Sequence, residues 1–427
     1  MNAVGLKLKA PIFGSEVTGI SRIRRKGTMA CLKLGFRSRS PQKSIKEADE
    51  PGPVWWRGWF KIKKKKKKTK GEMVEVESVR GGEDLWNAAA AEDHGVFPEH
   101  LVIMVNGLVG SAEDWRFAAE QFVKKIPTKV IVHRSECNSS RLTFDGVDLM
   151  GERLADEVLS VVNNRRGVQK ISFVAHSLGG LIARYAIGRL YEAGGGVESS
   201  LHVGNHSDKG KGHEGRIAGL EPMNFITFAT PHLGSKGNKQ LPFLCGVPFL
   251  ERRASKTAHF IVGKTGKHLF LTDDDDGKPP LLLRMAYDCD DIKFISALGC
   301  FKRRVAYANA NFDHIVGWRT SSIRRQHELP KYHLLVSDES YPHIVFVDKG
   351  QTENALIEES SAVETQNYDS EEAMIRGLTR VPWERVDVSF QKSKQRYVAH
   401  NTIQVKSYWL NSDGADVIFH MIDNFLI

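Results

Sequence analysis

The chain of 427 residues is 41% hydrophobic and 26% charged, an ordinary composition with enough apolar side chain to bury a large core. Its net charge of +10 is local, because residues 1–70 carry 20 Lys+Arg against 4 Asp+Glu while the remainder carries 41 against 47. A slightly acidic bulk excludes a nucleic-acid-binding globular surface, and no run reaches the roughly 18 uncharged apolar residues of a membrane-spanning helix.

The first 40 residues hold nine basic residues, one acidic residue (Glu16) and four serines. This composition reads as an organelle transit peptide or equally as a disordered basic tail. It lacks the apolar core of a secretory signal, so an intracellular protein is expected, cytoplasmic and peripheral to a membrane or in a chloroplast. Next come Trp55, Trp56, Trp59 and Phe60, followed by Lys61 and the run Lys63, Lys64, Lys65, Lys66, Lys67 and Lys68. Tryptophan favours the membrane–water interface, and each lysine beside an anionic leaflet contributes on the order of 1 kcal/mol. An interfacial anchor, a nuclear-localisation-like run and a solvated linker all fit this segment. Residues 71–97 read as a linker. Five cysteines (31, 137, 245, 289 and 300), odd in number and without a CxxC, argue against a disulfide scaffold or zinc ribbon and for a reducing compartment.

From residue 98 short apolar runs appear: 101–105, 130–132, 171–175, 225–229, 305–308, 344–347 and 386–390. Such runs suit strands buried on both faces of a mostly parallel sheet. Helical periods lie between them at Trp115–Ile126, Asp148–Asn163, Gly179–Tyr191 and Asp416–Phe425. The alternation predicts one α/β domain over 98–427. Three stretches break it. Residues 193–221 read as a surface loop, 236–300 as a helical cap or insertion, and 350–378 as a flexible acidic excursion.

The strongest chemical signal is Ile171-Ser-Phe-Val-Ala-His-Ser-Leu-Gly-Gly180. An apolar strand ends at Ser177 and an amphipathic helix begins just beyond. Ala175-His176-Ser177-Leu178-Gly179 is a G-x-S-x-G pattern with Ala in the first place. Small flanking residues permit a strained turn that lifts the hydroxyl above the sheet. The N–H of Leu178 then points toward an oxyanion at a helix N-terminus. Asn106-Gly-Leu-Val-Gly-Ser111 follows the first strong strand, and its Leu108 is the candidate for the second oxyanion donor. Phe225–Gly234 is a further strand, with a Thr-Pro turn near the same end of the sheet.

An acid is expected after a later strand, and Asp313 stands in the loop past 305–308. Asp148, on a helix before the nucleophile, and Asp273–Asp276, in a solvated loop, are poorer candidates. The base is expected between the last strand and the last helix. Of His314, His327, His333, His343, His400 and His420, only His400 stands there. Ser177, Asp313 and His400 thus form a candidate catalytic triad.

Together, N-G-x-x-G-S at 106–111, A-H-S-L-G-G at 175–180, A-T-P-H-L-G at 229–234, N-x-x-x-D-x-x-V from Asn309 to Val316, and A-H-N-T-I-Q-V at 399–405 resemble the DUF676 serine esterase (lipase-like) family of α/β-hydrolases, its plant branch most closely. The resemblance covers about residues 98–427. It implies an α/β-hydrolase fold and assigns Ser177, Asp313 and His400 to the family's triad. Asn106 replaces the more usual His of the oxyanion loop, and Ala175 replaces Gly. The expected activity is ester hydrolysis of acyl lipids through an acyl-enzyme, without metal or cofactor. An acyltransferase shares the acyl-enzyme half, and a lipid-binding scaffold without turnover is the alternative from another class.

Overall fold

A computed structural model describes residues 74–79, 82–87, 97–165, 167–194, 215–235, 263–274, 277–350 and 370–427. Trp55, Trp56, Trp59 and Lys63–Lys68, with the rest of the arm, lie outside the described residues. In chain order the strands are β1 (Val74–Val79), β2 (Gly82–Asn87), β3 (His100–Val105), β4 (Val130–Ser135), β5 (Lys170–His176), β6 (Tyr191–Glu192), β7 (Arg216–Ile217), β8 (Glu221–Phe228), β9 (Arg303–Asn309), β10 (Ile344–Asp348) and β11 (Glu384–Val388). The longer helices are α1 (Arg116–Lys125), α2 (Val147–Asn164), α3 (Leu178–Leu190), α4 (Ser370–Leu378) and α5 (Ala415–Asp423).

Nine strands make one sheet in the order β1-β2-β4-β3-β5-β8-β9-β11-β10. From β4 to β11 all neighbours run parallel. Antiparallel strands finish both edges, β1 and β2 at one and β10 at the other. β6 and β7 pair separately.

Side-chain alternation splits each central strand between two cores. Leu101, Ile103 and Val105 of β3 face the cluster that holds α2 and α3, with Met150, Leu154, Val158, Leu181 and Ile182. Val102 and Met104 face the opposite cluster, built with Trp115, Phe122, Val417 and Met421 from the α1 and α5 side. Both faces are covered, which is why the strands read as continuous apolar runs rather than alternating ones. The four predicted helices are present, with bounds within about two residues of those read from the sequence. Gly146 and Val147 open α2, and their N–H groups donate to Thr265 Oγ1 and His268 Nδ1, each at 3.0 Å.

Several expectations need correction. The presumed linker 71–97 contains β1 and β2, which extend the sheet beyond β4. Residues 344–347 form an antiparallel edge strand rather than a parallel one buried on both faces. The excursion 350–378 ends in α4, whose Met374, Ile375 and Leu378 are buried in the α3-side core. Residues 281–300, read as part of a helical cap or insertion, pack Leu281, Leu282, Met285 and Phe294 into that same core. Residues 195–214 of the presumed loop 193–221, and all of 236–262, lie outside the described residues. Among the described residues no helix is long and apolar enough to cross a membrane.

Candidate active site

β5 delivers the chain to Ser177, where φ is 53° and ψ is −127°, and α3 starts at the next residue. Such a conformation is strained for a non-glycine residue and holds only where the surroundings enforce it. Here they do. Ser177 N–H donates to Phe228 O at 2.8 Å, and Gly180 N–H donates to Ser177 O at 3.1 Å. Glycine at 179 is a packing requirement, since a Cβ there would lie 2.5 Å from Val105 O and 2.6 Å from Asn106 O. At Gly180 a Cβ would collide with Thr230. The small residues after the serine thus let α3 start directly against the carboxyl ends of β3 and β8.

The loop after β3 closes over the same turn. A Cβ on Gly107 would lie 2.9 Å from Ser177 Cβ, so glycine is what permits the contact. Asn106 Nδ2 donates to Asn138 O at 3.0 Å and to Gly107 O at 3.1 Å. Val109 holds a φ of 55°, and its N–H donates to Thr143 Oγ1 at 3.0 Å. Gly110 N–H donates to Gly107 O at 3.0 Å. Between them the Leu108 N–H has no acceptor among the described residues. Leu178, first residue of α3, presents one of the N–H groups that a helix start leaves without an intrahelical partner. Asn106 therefore acts through its amide, bracing the loop from inside.

Asp313 follows β9 in a loop that turns at Phe312, where φ is 58°. Its Oδ1 accepts the N–H groups of Ile315 at 2.9 Å and Val316 at 2.8 Å. Its Oδ2 accepts from Asn309 Nδ2 at 2.9 Å and faces His400 Nδ1 at 3.0 Å. Burial by itself raises this carboxyl. The charge and hydrogen bond of His400, with Val316 N–H and the Asn309 amide, outweigh burial and hold it below its ordinary value. Asp313 is therefore a carboxylate and can only accept. His400 must carry its proton on Nδ1, which leaves Nε2 to accept from Ser177 Oγ–H, 3.0 Å away. The short helix Ala399–Thr402 carries His400 into this position.

The neighbour of the serine adds a contact that sequence reasoning did not find. His176 Nε2 lies 2.7 Å from His400 O, and the two rings stand 4.6 Å apart. Burial, reinforced by any charge on His400, holds His176 far below its ordinary value, so its ring is neutral. A neutral ring donates from Nε2 to that carbonyl. The bond joins residues 224 apart, and the sequence offered no signal for it. The far end of the Asp313 loop is pinned by another unforeseen group. Asp387 on β11 accepts from Arg324 at 2.7 and 2.9 Å and from Trp318 Nε1 at 2.6 Å.

The remaining candidates stand elsewhere. His343 Nδ1 is 3.0 Å from Asp416 Oδ1, and His420 Nδ1 is 2.9 Å from Tyr307 Oη. His314, His327 and His333 are exposed. Asp148 pairs with Lys264, and Asp273 accepts the Leu281 N–H. Within the Thr-Pro turn His232 is buried, with Nε2 3.0 Å from Thr227 Oγ1. That segment packs beneath the start of α3, with Thr230 against Gly180 and His232 O accepting from Arg184.

A mostly parallel sheet with helices on both faces, carrying a serine on the strand–helix turn of β5, is the α/β-hydrolase fold. The family model described as "Putative serine esterase (DUF676)" matches residues 97–323, and the chain belongs to that family. Among curated relatives, "Putative lipase ROG1" of Saccharomyces cerevisiae is 31% identical over 244 residues, 56% of this chain and 31% of its own. "Putative lipase C4A8.10" of Schizosaccharomyces pombe is 27% identical over 250 residues, 56% of this chain and 28% of its own. The chain thus spans about a third of the length of these relatives. Among solved structures, the Bacillus licheniformis lipase BlEst2 in its propeptide form aligns at 14% identity with a TM-score of 0.30, covering 51% of this chain and 36% of that one. The Pyrococcus furiosus esterase Pf2001 aligns at 13% identity with a TM-score of 0.31, covering 58% and 74%.

Proposed function

We propose that the protein is a serine-dependent carboxylic ester hydrolase that acts on acyl lipids. The observation that carries this reading is the continuous chain from Ser177 Oγ through His400 to Asp313, two contacts of 3.0 Å each, on the strained turn. His400 Nε2 takes the serine proton as Oγ attacks the ester carbonyl, and a tetrahedral oxyanion forms. The N–H groups of Leu108 and Leu178 stabilise that oxyanion. Asp313 keeps His400 in the required tautomer and stabilises its charge. Collapse expels the alcohol, which takes the proton from His400, and leaves an acyl-serine. Water, deprotonated by His400, then releases the acid. The lipase names of the yeast relatives support a lipid acyl group as the substrate.

The deciding experiment is labelling of the full chain with a fluorophosphonate, beside the Ser177→Ala variant. Labelling of the wild type and not of the variant, with parallel loss of nitrophenyl ester turnover, is the expected result. No labelling of either would make the protein a scaffold and overturn the reading. Adding an alcohol acceptor, and measuring free acid against new ester, separates hydrolysis from acyl transfer.

A further inference from the structure

The segment that carries His400 also carries Trp409, the most exposed large apolar side chain among the described residues, and three further exposed ones. Trp409 is 93% exposed, with Leu410 at 69%, Tyr408 at 55% and Tyr397 at 65%. Tyr408, Trp409 and Leu410 are consecutive on the one-turn helix Tyr408–Asn411. A lone exposed apolar residue is ordinary, but three in a row on an ordered turn, water-facing at this cost, mark a contact surface.

Both ends of this surface abut the candidate site. The Tyr408 ring stacks on Phe117 at 5.0 Å, and Lys406 Nζ lies 3.0 Å from Asp114 Oδ2, which ties the turn to the loop after β3. On the other side Tyr397 meets the ring of Phe312 edge-on at 5.9 Å, one residue from Asp313, and the Arg396 guanidinium lies over both rings.

The charge of the segment names the partner. Residues 388–413 contain Lys392, Lys394, Arg396 and Lys406 against one acid, Asp413, which accepts from Ser393 Oγ, within a chain that beyond residue 70 has an acidic excess of six. Lys392 and Lys394 are exposed, with no acidic partner among the described residues. Nearby Glu113 and Glu120 are engaged by Arg116. Tyr and Trp rings at the headgroup level beside unpaired lysines match an anionic bilayer, where each signal alone is weak and the two add.

We infer that the Tyr408-Trp409-Leu410 turn, with Tyr397 and the lysines at 392 and 394, docks the protein on an anionic lipid surface so that the site's rim meets the bilayer. This deepens the acyl-lipid reading and rests on it for its purpose, though docking itself needs no turnover. It is also separate from the arm, since its residues lie within the folded domain.

The test is hydrogen exchange on the full-length Ser177→Ala protein, with vesicles of phosphatidylcholine and phosphatidylglycerol at 3:1 and with phosphatidylcholine alone. Amides of 396–411 should slow at least fivefold on the mixed vesicles, and less on the neutral ones. The triple substitution Tyr408→Ser, Trp409→Ser, Leu410→Ser should abolish that protection. In the background with Ser177 intact it should leave soluble-ester turnover within twofold. Protection confined to residues 51–70 would overturn the inference and give binding to the arm. Slowing of 396–411 without lipid, growing with protein concentration, would overturn it in favour of a second copy. If the patch is protected but no ester is ever cleaved, docking stands and the hydrolase reading falls.

Discussion

Ser177 sits in a region of backbone space that costs a non-glycine residue on the order of 1–3 kcal/mol, and alanine would suffer the same strain. Ser177→Ala should therefore leave unfolding stability within about 1 kcal/mol while removing turnover of nitrophenyl esters by a factor on the order of 10⁶. His400→Ala should match it, and Asp313→Asn should lose less. Undiminished turnover in the serine variant would remove the nucleophile from the mechanism. These three residues were legible because chain order, loop position and the small-residue turn each narrow the choice. His176 was not. Its partner is a backbone carbonyl 224 residues away, and a side chain beside a nucleophile carries no periodic signal. On the geometry it is a positioning residue, holding the short helix that presents His400. His176→Phe should lower kcat between about ten- and a hundredfold with KM nearly unchanged, as expected for a misplaced base. His176→Gln, which restores an N–H donor, should recover part of the loss. A fall in stability with no kcat–KM split, or no rescue, would make the residue merely structural.

At the scale of elements, the strands and helices legible in the sequence were those buried on both faces or carrying a long apolar stripe. Those overlooked are short and half-polar. β1 reads Val-Glu-Val-Glu-Ser-Val, a period-two alternation that a search for continuous apolar runs passes over. α4 was hidden by the acidic stretch before it, although Met374, Ile375 and Leu378 form a compact apolar face behind Glu371 and Glu372 at the helix start. Arg325 grips Glu372 through two contacts of 2.8 Å, and Gly377 lets the helix approach the backbone at Ala286. α4 is thus part of the core, and Met374→Ala should cost about 2–5 kcal/mol in urea unfolding. A change under about 0.5 kcal/mol would return the segment to the status of a surface excursion.

Across the whole molecule, stability should depend on pH through buried imidazoles, which no sequence pattern distinguishes among sixteen histidines. Burial, with Lys170 nearby, lowers His100 to about 3, and its Nε2 lies 2.7 Å from Ser172 Oγ. Burial likewise holds His176 and His232 far below their ordinary value and lowers His268 and His420. In the unfolded chain each returns to about 6.5. Above that pH both states are neutral and these groups contribute nothing. As pH falls below it, the unfolded chain takes up protons that the folded one refuses, so stability declines, by about 1.4 kcal/mol per pH unit for each histidine once it is fully engaged. For His100 alone the loss reaches about 2 kcal/mol at pH 5. Asp313, Asp348 and Glu372, all held below their ordinary values, add the same sign only further down, below about pH 4.5. The urea midpoint should therefore fall between pH 7 and pH 5, before those three carboxylates titrate, with Asp114 and Asp387, both raised by burial, opposing the fall. His100→Gln should start lower, because it disturbs a packed site, but decline less steeply by about one histidine's share. Equal slopes in the two proteins would show that His100 is hydrated and titrates normally, and a wild-type midpoint flat over that window would extend the same conclusion to the other buried rings.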